Sequence, residues 1–83
     1  MKIIDKTVKM AIRELLDLLL INKDDDPYLQ LELRSDIDNA VRYILNNLSP
    51  EDKIKIVTYT LTESIAKIIN IIWPLYREFT DTL

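Results

Sequence analysis

No glycine occurs among the 83 residues of this chain, and cysteine and histidine are missing as well. Glycine supplies the positive φ angles of tight turns, phosphate-cradling loops and bulges. A chain without it needs elements and connections that dispense with such angles, and helices joined through Asn, Ser and Pro meet that condition best. The same absences remove much enzymatic equipment. There is no disulfide framework or thiolate site, no Ser-His-Asp triad or imidazole ligand, and no phosphate loop or dinucleotide fingerprint.

Hydrophobic residues at 48% beside charged residues at 30% place the chain among folded proteins. We expect one domain, residues 1–83, that buries roughly 60 to 65% of its unfolded surface, a thin margin that oligomerisation would widen. The net charge of −3 opposes general nucleic-acid binding, which rests on a basic surface. That charge is unevenly spread: five basic and three acidic groups in residues 1–23, two and six in 24–48, four and five in 49–83. A basic first helix and an acidic second one would attract each other. Met1 to Asp5 lacks a signal-peptide pattern, and the longest apolar runs, Leu18 to Ile21 and Ile71 to Leu75, are too short to cross a bilayer. A cytoplasmic location is therefore expected. The wealth of Ile, Lys and acids suits a thermophile or an AT-rich genome equally.

Three helices are predicted. Ile4, Val8, Ala11, Ile12, Leu15, Leu18 and Leu19 recur at helical spacing opposite Lys6, Lys9, Arg13 and Asp17, giving a helix over about 5–21. Met10, Leu16, Leu20 and Ile21 widen its apolar stripe, as in a helix with two neighbours or a dimer contact. Asn22 to Asp26 reads as a connection, and Asp26-Pro27 as a cap with proline at the first helical position. The three successive aspartates lack the alternation and the glycine of a calcium loop and read as capping charge. Leu29, Leu33, Ile37, Ala40, Val41, Ile44, Leu45 and Leu48 form the apolar face of a second helix over 27–48. The alternation at Leu29, Leu31 and Leu33 leaves residues 28–33 open as a separate element.

Ser49-Pro50-Glu51-Asp52 starts a third helix over 50–72. Ile54, Val57, Leu61, Ile65, Ile68 and Ile72 repeat along it by threes and fours, a heptad-like seam. The β-branched run from Ile54 to Thr62 favours a strand locally, but the cap and the seam outweigh it. Residues 65–73 are apolar on nearly every side except Lys67 and Asn70, which implies burial all round and points to self-association. Pro74 should kink or end the helix near Ile72, leaving a segment 73–83 that holds Trp73, Tyr76 and Phe79, half of the chain's aromatic residues, as either a lid on the core or a partner contact.

Few residues suit chemistry. Glu14 and Asp17 lie one turn apart and, with Glu63, are the only acids spaced for a Mg²⁺-dependent all-α hydrolase, whose sites need more carboxylates on facing helices. Arg13, Arg34, Arg42 and Lys67 are too scattered for the anion pocket of a small helical mutase. A helix-turn-helix reading founders on Glu51 and Asp52, which would open the recognition helix with negative charge. No helix carries the strongly basic polar face of a membrane-surface helix.

The expected architecture is all-α: a small antiparallel three-helix domain that dimerises into a larger bundle. The expected function is non-enzymatic, with no catalytic residue, metal or cofactor and no small-molecule substrate. It is an interaction module, an adaptor, regulator or accessory subunit, that binds itself or a larger protein through Ile69, Ile72, Trp73, Tyr76 and Phe79. The alternative is an accessory factor of a nucleic-acid machine, with contact through Lys2, Lys6, Lys9 and Arg13. A metal-dependent hydrolase ranks third.

Overall fold

Asp26 and Ser49 start helices as their neighbours require. In the computed structural model, which describes residues 2–21 and 26–83, Asp26 Oδ1 accepts the Tyr28 amide at 2.9 Å and Ser49 Oγ accepts the Asp52 amide at 3.1 Å. Each satisfies an amide that the first helical turn leaves unpaired. The rest of the expected 22–26 connection, and with it the calcium reading at Asp24 and Asp25, lies outside the described residues.

Four helices follow rather than three: α1 (Lys2–Leu20), α2 (Pro27–Asn47), α3 (Pro50–Leu61) and α4 (Ile65–Asp81). No strand occurs among the described residues. Residues 28–33 belong to an unbroken α2, although Tyr28, Leu29 and Leu31 project into solvent and the face is buried only from Ile37 onward. In the β-branched stretch, the hydroxyls of Thr58, Thr60 and Thr62 donate to the carbonyls of Ile54, Ile56 and Thr58. Helix carbonyls thus absorb the threonine hydroxyls of a strand-favouring run.

The expected helix over 50–72 is two helices, because the chain turns at Thr62–Ser64. Ser64 N donates to Tyr59 O at 2.8 Å and Glu63 N to Thr60 O at 3.3 Å, the paired bonds of a Schellman stop. Glu63 takes φ 56°, in the left-handed position that glycine usually fills. Among the described residues the chain takes one positive φ, and it places a glutamate there, at a cost of about 1 to 2 kcal/mol. Nor does Pro74 end a helix. It lies inside α4, on the exposed face with Lys67, Asn70, Arg77 and Asp81, so its ring and missing amide hydrogen point away from the packing that carries α4 on to Asp81.

The helices pack in a ring, α1 on α2, α2 on α4, α4 on α3 and α3 on α1. The pairs α1/α2 and α3/α4 form two layers, and the shortest dimension, 22 Å, equals about two helix diameters. The core takes Val8, Ile12, Leu15 and Leu16 from α1, Ile37, Ala40, Val41 and Ile44 from α2, Ile56 from α3, Ile68 and Ile72 from α4, and Leu48 between α2 and α3. The opposite charges of the first two helices meet at Arg13 and Asp38, an ion pair that faces the solvent-shielded Asp38 Oδ1 with a guanidinium rather than a well-aligned hydrogen bond. Lys53 Nζ contacts Asp5 Oδ1 at 2.9 Å and ties α3 to the start of α1. That hydrogen bond, aided by the lysine charge and opposed by partial desolvation, lowers the Asp5 pKa.

Candidate interaction site

The two-layer ring leaves α1 and α4 on a diagonal, and a cleft of about 380 Å³ opens where α3 ends and α4 begins. Ala11, Glu14, Leu15 and Leu18 line it from one face of α1, at the spacing i, i+3, i+4 and i+7. Tyr59, Thr60 and Glu63 line it from the end of α3, and Ile65 and Ile68 from the start of α4. The Schellman turn makes this opening, since a continuous third helix would have run past it.

The floor is apolar. Ala11 leaves room beside Leu15 and Ile68, which belong to the core, and the Thr60 hydroxyl is already spent on the Ile56 carbonyl at 2.8 Å. The rim is apolar as well, with Leu18 77% and Ile65 51% exposed. Two carboxylates, Glu14 and Glu63, stand in it, both exposed and without an ion pair among the described residues. The cation nearby, Lys67, has its Nζ 5.4 Å from the centre of the Tyr59 ring, within cation–π range. Leu61, 80% exposed, lies on the outer side of α3 with Ile54.

Four of the five residues expected to form the binding surface lie in or against the core. Ile72 is fully buried, and Ile69, Tyr76 and Phe79 are half-buried against the core. The Phe79 ring lies 5.6 Å from that of Tyr43 on α2, whose hydroxyl donates to Glu78 Oε2 at 3.4 Å. Trp73 is half-buried and stacks on Tyr76 at 5.1 Å. The expected all-round burial of residues 65–73 is not present in one copy: Ile68 and Ile72 are buried, whereas Ile65 and Ala66 are exposed, as are the polar Lys67 and Asn70.

Lys2, Lys6, Lys9 and Arg13 are all exposed and form one stripe along α1, at i, i+4, i+7 and i+11. Through the Arg13–Asp38 pair this stripe meets α2, where exposed Arg34 and Arg42 lie one turn to either side of Asp38. Sequence reasoning left those two arginines scattered, because only the docking of α1 on α2 brings them beside the stripe. Of the acids considered for Mg²⁺, Glu14 and Glu63 share the cleft, whereas Asp17 lines a separate depression with Arg34. Among the described residues no three ligating side chains are grouped to hold a metal ion, and no helix is long and apolar enough to cross a membrane.

Leu18, Tyr59 and Ile65 were missed as site residues, Leu18 and Ile65 because they read as core and seam, while Glu63 was weighed only as a metal ligand. The signal was there in part: Thr62-Glu63-Ser64 interrupts the apolar seam with three polar residues. Comparison with protein-family models, with curated proteins and with solved structures gave no match to this chain.

Proposed function

We propose that this protein is a non-enzymatic interaction module, an adaptor or accessory subunit that presents helical surface to a larger protein. The cleft between α1, α3 and α4 supports this reading, because it joins a buried apolar floor to the exposed Leu18 and Ile65. A docked partner would remove this apolar surface from water, which favours association. Trp73 extends the surface available on α4, and the outer α3 residues Ile54 and Leu61 would serve a homodimer.

Affinity capture from the native host tests the module. Leu18→Asp combined with Ile65→Asp should abolish a specific partner that the wild-type chain retains, with helicity and unfolding midpoint preserved. A partner lost instead on Trp73→Ala would move the site to α4, and capture unaltered by either change would refute the docking surface. Light scattering at high micromolar concentration tests the dimer, which requires twice the mass of the chain.

The six exposed cations on α1 and α2, Lys2, Lys6, Lys9, Arg13, Arg34 and Arg42, favour a second reading, an accessory factor that touches nucleic-acid phosphates. Five of them form no ion pair among the described residues. Binding of a fluorescent oligonucleotide should then fall with salt, and Lys6→Ala with Lys9→Ala should lower the slope of log affinity against log salt by about 2. A flat response would end this reading.

A further inference from the structure

We propose that the occupant of the α1–α3–α4 cleft is a basic amphipathic helix of a partner protein, an inference that rests on the interaction-module reading. The shape selects a helix. The walls are helix faces, and no strand edge exists among the described residues to receive an added strand. A polyproline segment needs a groove lined by several aromatic rings, and here Tyr59 is the one ring. By contrast, Ala11, Leu15 and Leu18 share one face of α1 at i, i+4 and i+7, so the apolar surface runs along a helix axis as a second helix would. The small Ala11 side chain allows close approach at one end of this row.

The charges select the partner's flanks. Glu14 on one wall and Glu63 on the other stand beside the apolar floor without ion pairs among the described residues, and Lys67 lies over the Tyr59 ring. A helix with Leu or Ile at i, i+3 or i+4, and i+7, bordered by Lys or Arg, would satisfy both carboxylates. An acidic helix would place like charges together at the rim. The same argument disfavours a second copy packed cleft to cleft, since a two-fold contact would bring the acidic rim of one copy, Glu14 and Glu63, onto the equally acidic rim of the other. Glu63 keeps its carboxylate at the rim from a left-handed backbone position, φ 56°.

Selection from a displayed library of helical peptides about five turns long, with Leu fixed at i, i+4 and i+7 and the other positions randomised, tests this on the whole chain. Peptides whose binding is lost with Leu18→Asp or Ile65→Asp should be enriched in Lys and Arg at the flanks. Their affinity should fall roughly tenfold in Glu14→Lys/Glu63→Lys, as expected for two rim charges, and selection on that variant should turn to acidic flanks. Cleft-dependent peptides without a basic preference would overturn the partner class and leave the docking reading intact. Binding indifferent to Leu18→Asp and Ile65→Asp would overturn both. A dimer dispersed by Leu18→Asp would place a second copy in the cleft and equally overturn the proposal. Both glutamates are exposed, so the charge variants keep the test valid should an apolar-to-Asp change unfold the chain.

Discussion

Ile54, Val57 and Leu61 repeat with the same spacing as Ile65, Ile68 and Ile72, and both runs begin half-exposed, at 50% and 51%, yet they end differently. On α3 Ile54 and Leu61 face solvent and Ile56, one step out of phase, is the buried residue. On α4 Ile68 and Ile72 are in the core, 3% and 0% exposed. Periodicity identifies a helix and its spacing, but a turn of three residues resets which side faces inward. The stop at Thr62–Ser64 therefore decides both the phase of α3 and the existence of the cleft.

The largest test of this contrast is truncation of each run. Ile72→Ala and Ile56→Ala should each lower unfolding free energy in urea by about 2 to 5 kcal/mol, the cost of a core cavity. Ile54→Ala and Leu61→Ala should stay within about 0.5 kcal/mol. A costly Leu61→Ala beside a harmless Ile56→Ala would restore the continuous seam. Next comes the turn itself. Glu63→Gly should raise stability by up to about 1 kcal/mol, because glycine takes a positive φ without the side-chain clash, whereas Glu63→Val should lower it.

Two ion pairs sharpen the contrast between the layers at smaller magnitude. Arg13→Ala should cost about 0.5 to 1 kcal/mol, since it leaves the shielded Asp38 oxygen without its counter-charge. The Asp5–Lys53 pair, between α1 and α3, shows itself through pH. The Asp5 pKa is lowered chiefly by its hydrogen bond to Lys53. Its contribution to stability is therefore complete above the unfolded value near 4 and disappears as pH falls through the lower folded value. Acid titrations of wild-type and Lys53→Ala proteins should converge below that window, and a constant difference would show that Lys53 acts by packing alone.

Both proline-capped starts were legible because Asp26-Pro27 and Ser49-Pro50 act within a single turn, where the side-chain oxygen and the fixed proline φ are sufficient causes. The α1 stripe was equally legible, and Val8, Ile12 and Leu15 entered the core as their spacing predicts. The end of α3 was not, for its stop carries neither glycine nor proline, and Ser64 begins α4 without a side-chain cap. Pro74 misled in the other direction, since its outward position spares the helix a buried defect. The aromatic residues were found, but their role as a lid depends on Tyr43, thirty-six positions before Phe79.

The sequence by itself determined that the chain is helical, where α2 and α3 begin and which chemistry its missing glycine, cysteine and histidine forgo. These follow from local backbone preferences and side-chain inventory, which need no distant partner. The tertiary structure alone decided that Glu63 takes the left-handed position, that α3 turns Ile56 inward, and that Glu14 and Glu63 flank one apolar cleft while Arg34 and Arg42 join the basic stripe. Those choices rest on contacts between helices far apart in the chain, where burial of Ile68 and Ile72 outweighs the backbone cost of a non-glycine turn.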